Sequence, residues 1–160
     1  MAIISCRLSE NIGEKMDYYY VEPFVAGDFG KNTVLDNRVH PPIVRKLHYE
    51  IDVWIGDVLI RSFPCYLVTK EAELELLKMR VSGATFADVE VTASELFHRL
   101  QPETELPTFV WIKIHGQPGH DDFGMASNHT LVVSERALDV FERLGNESAG
   151  IHSFDEPEKD

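Results

Sequence analysis

A strand that runs straight into a helix leaves a chain few ways to close its core, and residues 129–145, HTLVVSERALDVFERLG, read as such a junction. Thr130 to Val133 is β-branched and apolar, the composition of a buried strand end. Ser134 follows where a helix N-cap belongs, its hydroxyl placed to accept an otherwise unpaired amide hydrogen of the first turn. Val133 and Leu138 have the spacing of a hydrophobic staple. Ala137, Phe141 and Leu144 continue one apolar face, and Gly145 supplies a left-handed C-terminal cap.

The same device recurs twice in looser form. Val68-Thr69 leads into Lys70 to Met79, where Leu74, Leu77 and Met79 read as the apolar stripe and acidic residues crowd the first turns, favourable to the helix dipole. Further on, Thr92-Ala93-Ser94-Glu95 has the spacing of a capping box, with Val91 set to staple against Leu96. That helix runs through Phe97 and Leu100 and stops before Pro102. The three junctions differ too much in length to be a sequence repeat.

Between them lie extended segments. Tyr18 to Val21 is β-prone, as is the weaker Ile3-Ile4. In Leu47 to Phe63, Leu47, Tyr49, Ile51, Val53 and Ile55 alternate with His48, Glu50, Asp52 and Trp54, which predicts one buried and one wetter face. Gly56-Asp57 reads as a two-residue turn and Val58-Leu59-Ile60 as the return strand of a hairpin. Pro64 ends or bulges that strand before Tyr66-Leu67-Val68. Phe109 to His115 is a further strand, with Val110, Ile112 and Ile114 on one face and Phe109, Trp111 and Lys113 on the other. Pro23 to Pro42, rich in Gly, Asp and Asn and closing on Pro-Pro, reads as a long irregular connection. The expected fold is α+β: a mainly antiparallel sheet with two or three short amphipathic helices packed on it, in a single domain over residues 1–154, followed by an acidic C-terminal tail at 155–160.

Composition narrows the function classes. The 160 residues carry 15 Lys and Arg against 27 Asp and Glu, a net charge of -12. Such a surface repels DNA, RNA and anionic lipid, since phosphate contacts supply most non-specific nucleic-acid affinity. It suits a basic protein partner, or solubility alone. No apolar run is long enough to span a bilayer, and the N-terminal segment lacks the basic and apolar regions of a signal peptide, so a cytoplasmic location is expected. Cys6 and Cys65 are neither paired in a C-x-x-C motif nor dense enough for a disulfide framework, and read as free thiols.

Few residues invite chemistry. The run HGQPGHDDFG, residues 115–124, with His129 downstream, offers His115, His120, Asp121 and His129 as ligands of the kind zinc or iron takes, and so an alternative reading as a metal-dependent hydrolase. The spacing follows no metal motif, and Asp is expected in a Gly/Pro turn anyway, so neither a metal nor a cofactor is assigned. Cys65 beside Pro64 has no sequence neighbour to activate it. Asp122-Phe123-Gly124 matches a kinase triplet without the rest of that machinery. Glu50 and Asp52 share a strand face, as an acid/base pair would, but polar-out alternation is what any half-exposed strand shows. Trp54, beside them, has the chemistry of an interface anchor.

LHYEIDVWIGDVLIRSFPCYLVT, followed after a gap by NHTLVVSERALDVFERLG and Gly150-Ile151, is similar to small bacterial proteins of unknown function that include immunity proteins of polymorphic toxin systems. The resemblance covers about half the chain and centres on the Val133 to Arg136 junction, a structural feature to which no catalytic role attaches. It implies an intracellular bacterial protein that binds and neutralises a cognate toxin. The leading expectation is therefore a non-enzymatic, acidic protein-binding domain whose partner is a basic protein, contacted through Glu50, Asp52 and Trp54 and through the turn at Asp121 and Asp122. The alternatives are the hydrolase above and a homo-oligomeric adaptor using an exposed sheet edge.

Overall fold

The structure is a computed structural model and describes residues 16–155. Ile3-Ile4, Cys6 and all but the first residue of the acidic tail lie outside the described residues. In chain order the first strands are β1 (Tyr18–Glu22), β2 (Gly27–Phe29), β3 (Val34–Asp36), β4 (Ile43–Lys46) and β5 (His48–Ile51). Then come β6 (Leu59–Ser62), β7 (Cys65–Thr69), α1 (Lys70–Lys78), β8 (Ala84–Ala87), β9 (Glu90–Ala93) and α2 (Glu95–Leu100). The chain closes with β10 (Phe109–Ile114), β11 (Phe123–Met125), β12 (Leu131–Ser134), α3 (Glu135–Leu144) and β13 (Gly150–Ser153). The fold is α+β with mainly antiparallel sheets, as expected.

The middle of the molecule is the sheet β6-β7-β10-β8. Side chains alternate across a strand, and here both faces are covered. Tyr66, Val68 and Ile112 enter one core, which also holds Val21, Leu131 and Val133 from the sheet β11-β12-β1-β13, Ala72 and Leu76 from α1, and Ala137 and Phe141 from α3. Cys65, Leu67, Phe109 and Trp111 enter a second core with Tyr49 and Ile51 from the sheet β2-β5-β9 and Phe97 from α2. Adjacent residues of β10 thus belong to different cores.

The three strand-to-helix junctions are built alike. The side-chain oxygens of Thr69, Ser94 and Ser134 accept from the backbone amides of Ala72, Phe97 and Ala137. Each such cap stabilises its helix by about 1 kcal/mol. For α2 the cap is Ser94, not Thr92, so the expected capping box and its Val91–Leu96 staple do not form; Leu96 is exposed. For α1 the buried stripe is Ala72 and Leu76 with Met79 against the core, while Leu74 and Leu77 face outward. A helix that leaves β7 without a linker has its rotation set by the strand's exit, and the small Ala72 outcompetes the larger leucines. Gly145 has a positive φ of +122° with ψ of 110°, outside the left-handed helical basin that was expected.

The predicted hairpin across Gly56-Asp57 is absent. β6 instead pairs with β7 through the Phe63-Pro64 turn, Ser62 opposite Cys65, and β5 pairs antiparallel with β2 and parallel with β9. The stretch read as an irregular connection supplies β5's partner. β2 and β3 face β5 and β4 along one long bent hairpin, Gly27 opposite Ile51 near its base and Asp36 opposite Ile43 near its tip. Its bend is clamped by His48. The Thr33 hydroxyl bonds both the amide (2.9 Å) and the carbonyl (2.8 Å) of His48, and the His48 Nδ1 accepts from the Asn32 amide. Nδ1 is therefore the unprotonated nitrogen, and Nε2–H donates to Thr92 Oγ1 at 2.8 Å. A Cβ on Gly30 would come within 2.3 Å of the imidazole, so only glycine lets the ring close over this bend. His48 is thus buried on the side predicted to be wet.

Candidate functional site

A cleft of about 810 Å³ opens beside Trp54. Val58, Val89, Pro107, Phe109 and Val110 give it an apolar floor, and Lys70, Glu71 and Asp88 stand at its polar side. These residues come from four separate stretches of chain, brought together because β10 begins where β7 ends and α1 starts. Trp54 is fixed at several points. Its amide donates to Gln101 Oε1 and its carbonyl accepts from Gln101 Nε2, both at 2.8 Å. Its Nε1 donates to the Asp57 carbonyl at 2.8 Å, and its ring meets Phe109 edge to face with centroids 6.3 Å apart. A ring already held in place loses little freedom on binding.

The rim is acidic. Glu71 and Asp88 are exposed, as are Glu103 and Glu105 on the segment leading to Pro107. The Lys70 ammonium lies 2.9 Å from Glu73 Oε1, an ion-pair distance although off the line of a hydrogen bond. Behind Trp54, Asp57 is buried and accepts from the Ser148 amide at 3.2 Å. Burial pushes its carboxyl above the usual carboxylate range. Nearby in sequence, the amide of Asn146 is buried with neither end hydrogen-bonded among the described residues, a desolvation cost with no compensating bond.

The sequence-predicted residues separate. Trp54 lines the cleft, whereas Glu50 and Asp52 sit half-buried at and just past the end of β5, Glu50 directly opposite Asp28. Asp121 is a turn residue: its Oδ2 accepts from the Gln117 amide at 2.7 Å, which, as the main cause, holds its carboxyl below the usual range. Asp122 is internal, 5% exposed, and is corrected from a surface contact to a structural one. Arg136 Nε and Nη2 grip its two oxygens at 2.9 and 2.8 Å, the Ser134 hydroxyl donates at 2.6 Å, and the Ser82 amide at 2.9 Å. Burial pushes the Asp122 carboxyl up, but these bonds outweigh it and the net shift is downward.

That shift has a sign in stability. A carboxyl with a depressed folded-state pKa stabilises above its unfolded value, and the contribution is lost as pH falls through the folded value. Thermal midpoints of the wild type should therefore drop on acidification below about pH 4 more steeply than those of Asp122→Asn. Equal slopes would show that Asp122 is not a linked group. Asp57, shifted the other way, stabilises at low pH and loses its contribution as pH rises above the ordinary carboxylate range, so it does not mimic this effect.

His115, His120 and His129 are exposed, and no group of three metal-ligating side chains occurs among the described residues. His129 has its ring against His40 and Phe63, at 5.5 and 6.1 Å, on loops other than the 115–124 turn. The Cys65 thiol is buried, and burial pushes it up to about 12, so it is not a thiolate near neutrality. No helix among the described residues is long and apolar enough to cross a membrane.

Fold and cleft together define an α+β domain that offers one rigid aromatic ring over an apolar, acid-rimmed depression. No family model, curated protein or solved structure matches the chain.

Proposed function

We propose that this is a non-enzymatic, acidic protein-binding domain that takes a basic protein partner at the Trp54 cleft, with its site of action in the cytoplasm. The observation that carries the reading is the pinned indole over an apolar floor with Glu71 and Asp88 at the rim. Interface hot spots combine a desolvated aromatic anchor with a polar surround, and a chain at -12 steers a cationic partner towards it. A toxin neutralised by an immunity protein is a partner of this kind, and the sequence resemblance points to it.

The test is affinity capture from the native cells, followed by titration of the purified partner. Trp54→Ala should weaken binding by about 30-fold or more, the loss of a hot-spot aromatic. Raising the salt should slow association, as for any charge-steered encounter. A captured partner that binds Trp54→Ala as tightly as the wild type overturns the reading. Trp54→Phe, which keeps the edge-to-face contact with Phe109, distinguishes loss of the anchor from a collapsed cleft.

A further inference from the structure

Charge in this acidic chain is unevenly placed. Residues 31–46, the outer half of the bent hairpin, carry Lys31, Arg38, Arg45 and Lys46 against the single acid Asp36, a surplus of three positive charges that leaves the rest of the chain at -15. Arg38 is tied to Asp36 at 2.8 Å. Lys31, Arg45 and Lys46 are exposed and have no carboxylate within 4.0 Å among the described residues. Val34, Val39 and Ile43 on the same ribbon are about half exposed. The His48 clamp holds the base of this arm, so its outward shape is set before anything binds.

We propose that the β3–β4 ribbon of one copy docks in the Trp54 cleft of a second copy, and that two such contacts close a two-fold dimer. The apolar side chains Val34 and Ile43 match the apolar floor, while Arg45 and Lys46 match the exposed Glu71 and Asp88 at the rim. Each copy owns one arm and one cleft, so mutual exchange satisfies both and leaves no open end to propagate. A polyanion would use the charges but not the half-exposed aliphatic side chains set between them, so the acidic surface of the protein itself is the better occupant. The inference uses the cleft of the proposed partner site but not the partner. Association of the pure protein can therefore fail while capture of a partner succeeds, and the reverse.

Sedimentation velocity of the full chain tests it. The wild type should dimerise, with a Kd that rises at least ~10-fold between 50 and 500 mM salt, as screening of the exposed pairs requires. Arg45→Glu with Lys46→Glu should be monomeric, and so should Glu71→Lys with Asp88→Lys, each melting as a folded protein. An equimolar mixture of the two charge-reversed proteins should regain one wild-type-strength contact per pair. A wild type that is monomeric at about 100 µM, weaker than any specific dimer of use, overturns the proposal. So does a dimer that persists in either variant, or a mixture that does not associate. Loss of oligonucleotide binding in the ribbon variant with self-association intact would assign the arm to nucleic acid instead.

Discussion

Asp122→Ala should lower the thermal midpoint by about 6–12 °C, the equivalent of roughly 3 kcal/mol in a chain of this size. The carboxylate is the hub of one network. It receives Arg136 through two nearly parallel bonds, the Ser134 hydroxyl that itself caps α3, and the Ser82 amide from the loop after α1. Its own amide donates to the Ser82 hydroxyl at 3.0 Å, closing a ring between the two segments. Removing it strips the acceptor from four hydrogen bonds made by three residues at once. Breaking a buried pair by deleting one partner costs about 3–5 kcal/mol because the other charge is left without compensation. Arg136 keeps 43% of its side chain in solvent and can rehydrate, so the low end applies. Differential scanning calorimetry at pH 7 reads the effect. A loss below 2 °C would mean that the network is replaced by water at no cost.

Trp111→Ala and Ile112→Ala should both be severe, by about 3–5 and 2–5 kcal/mol respectively. Neighbours on a strand point to opposite faces, so in a sheet with one wet side one of the two would be nearly silent. Here Trp111 is 6% exposed and packs in the core beneath β5, while Ile112 is 1% exposed and packs with α1 and α3. Chemical denaturation of the two single variants distinguishes the cases. A mild effect from either would show that one of the two cores is not closed around β10.

Part of this was readable from the chain. Thr69 and Ser134 declare their junctions because a hydroxyl at the end of an apolar strand has a local partner three residues on, whereas the Thr92-to-Glu95 spacing points two residues too early and the α2 cap is Ser94. The α3 stripe was legible through Ala137 and Phe141, since a helix of ten residues repeats its period often enough to show. What failed depended on pairing between distant segments. The alternation from Leu47 to Ile55 is equally consistent with a hairpin or with β5 taking β2 and β9 as partners, and nothing local tells them apart. β2 and β3 have three residues each, too short to carry a period of two, and they are ordered by β4, β5 and the His48 clamp. The cleft was legible only at Trp54. Pro107, Asp88 and Lys70 carry no sign of their meeting, which arises from the order β7-β10-β8. The turn composition around Asp122 hides its burial, which comes with partners beyond β11, namely Ser134 at the end of β12 and Arg136 on α3.

β10 starts at the floor of the cleft, where Phe109 belongs to one interior and Val110 packs against the other. Whatever settles there leans on both halves through a single strand. An occupant should therefore lift the entire unfolding transition as one cooperative step, by an increment that grows logarithmically with its concentration, and should not merely quieten the surface that it touches.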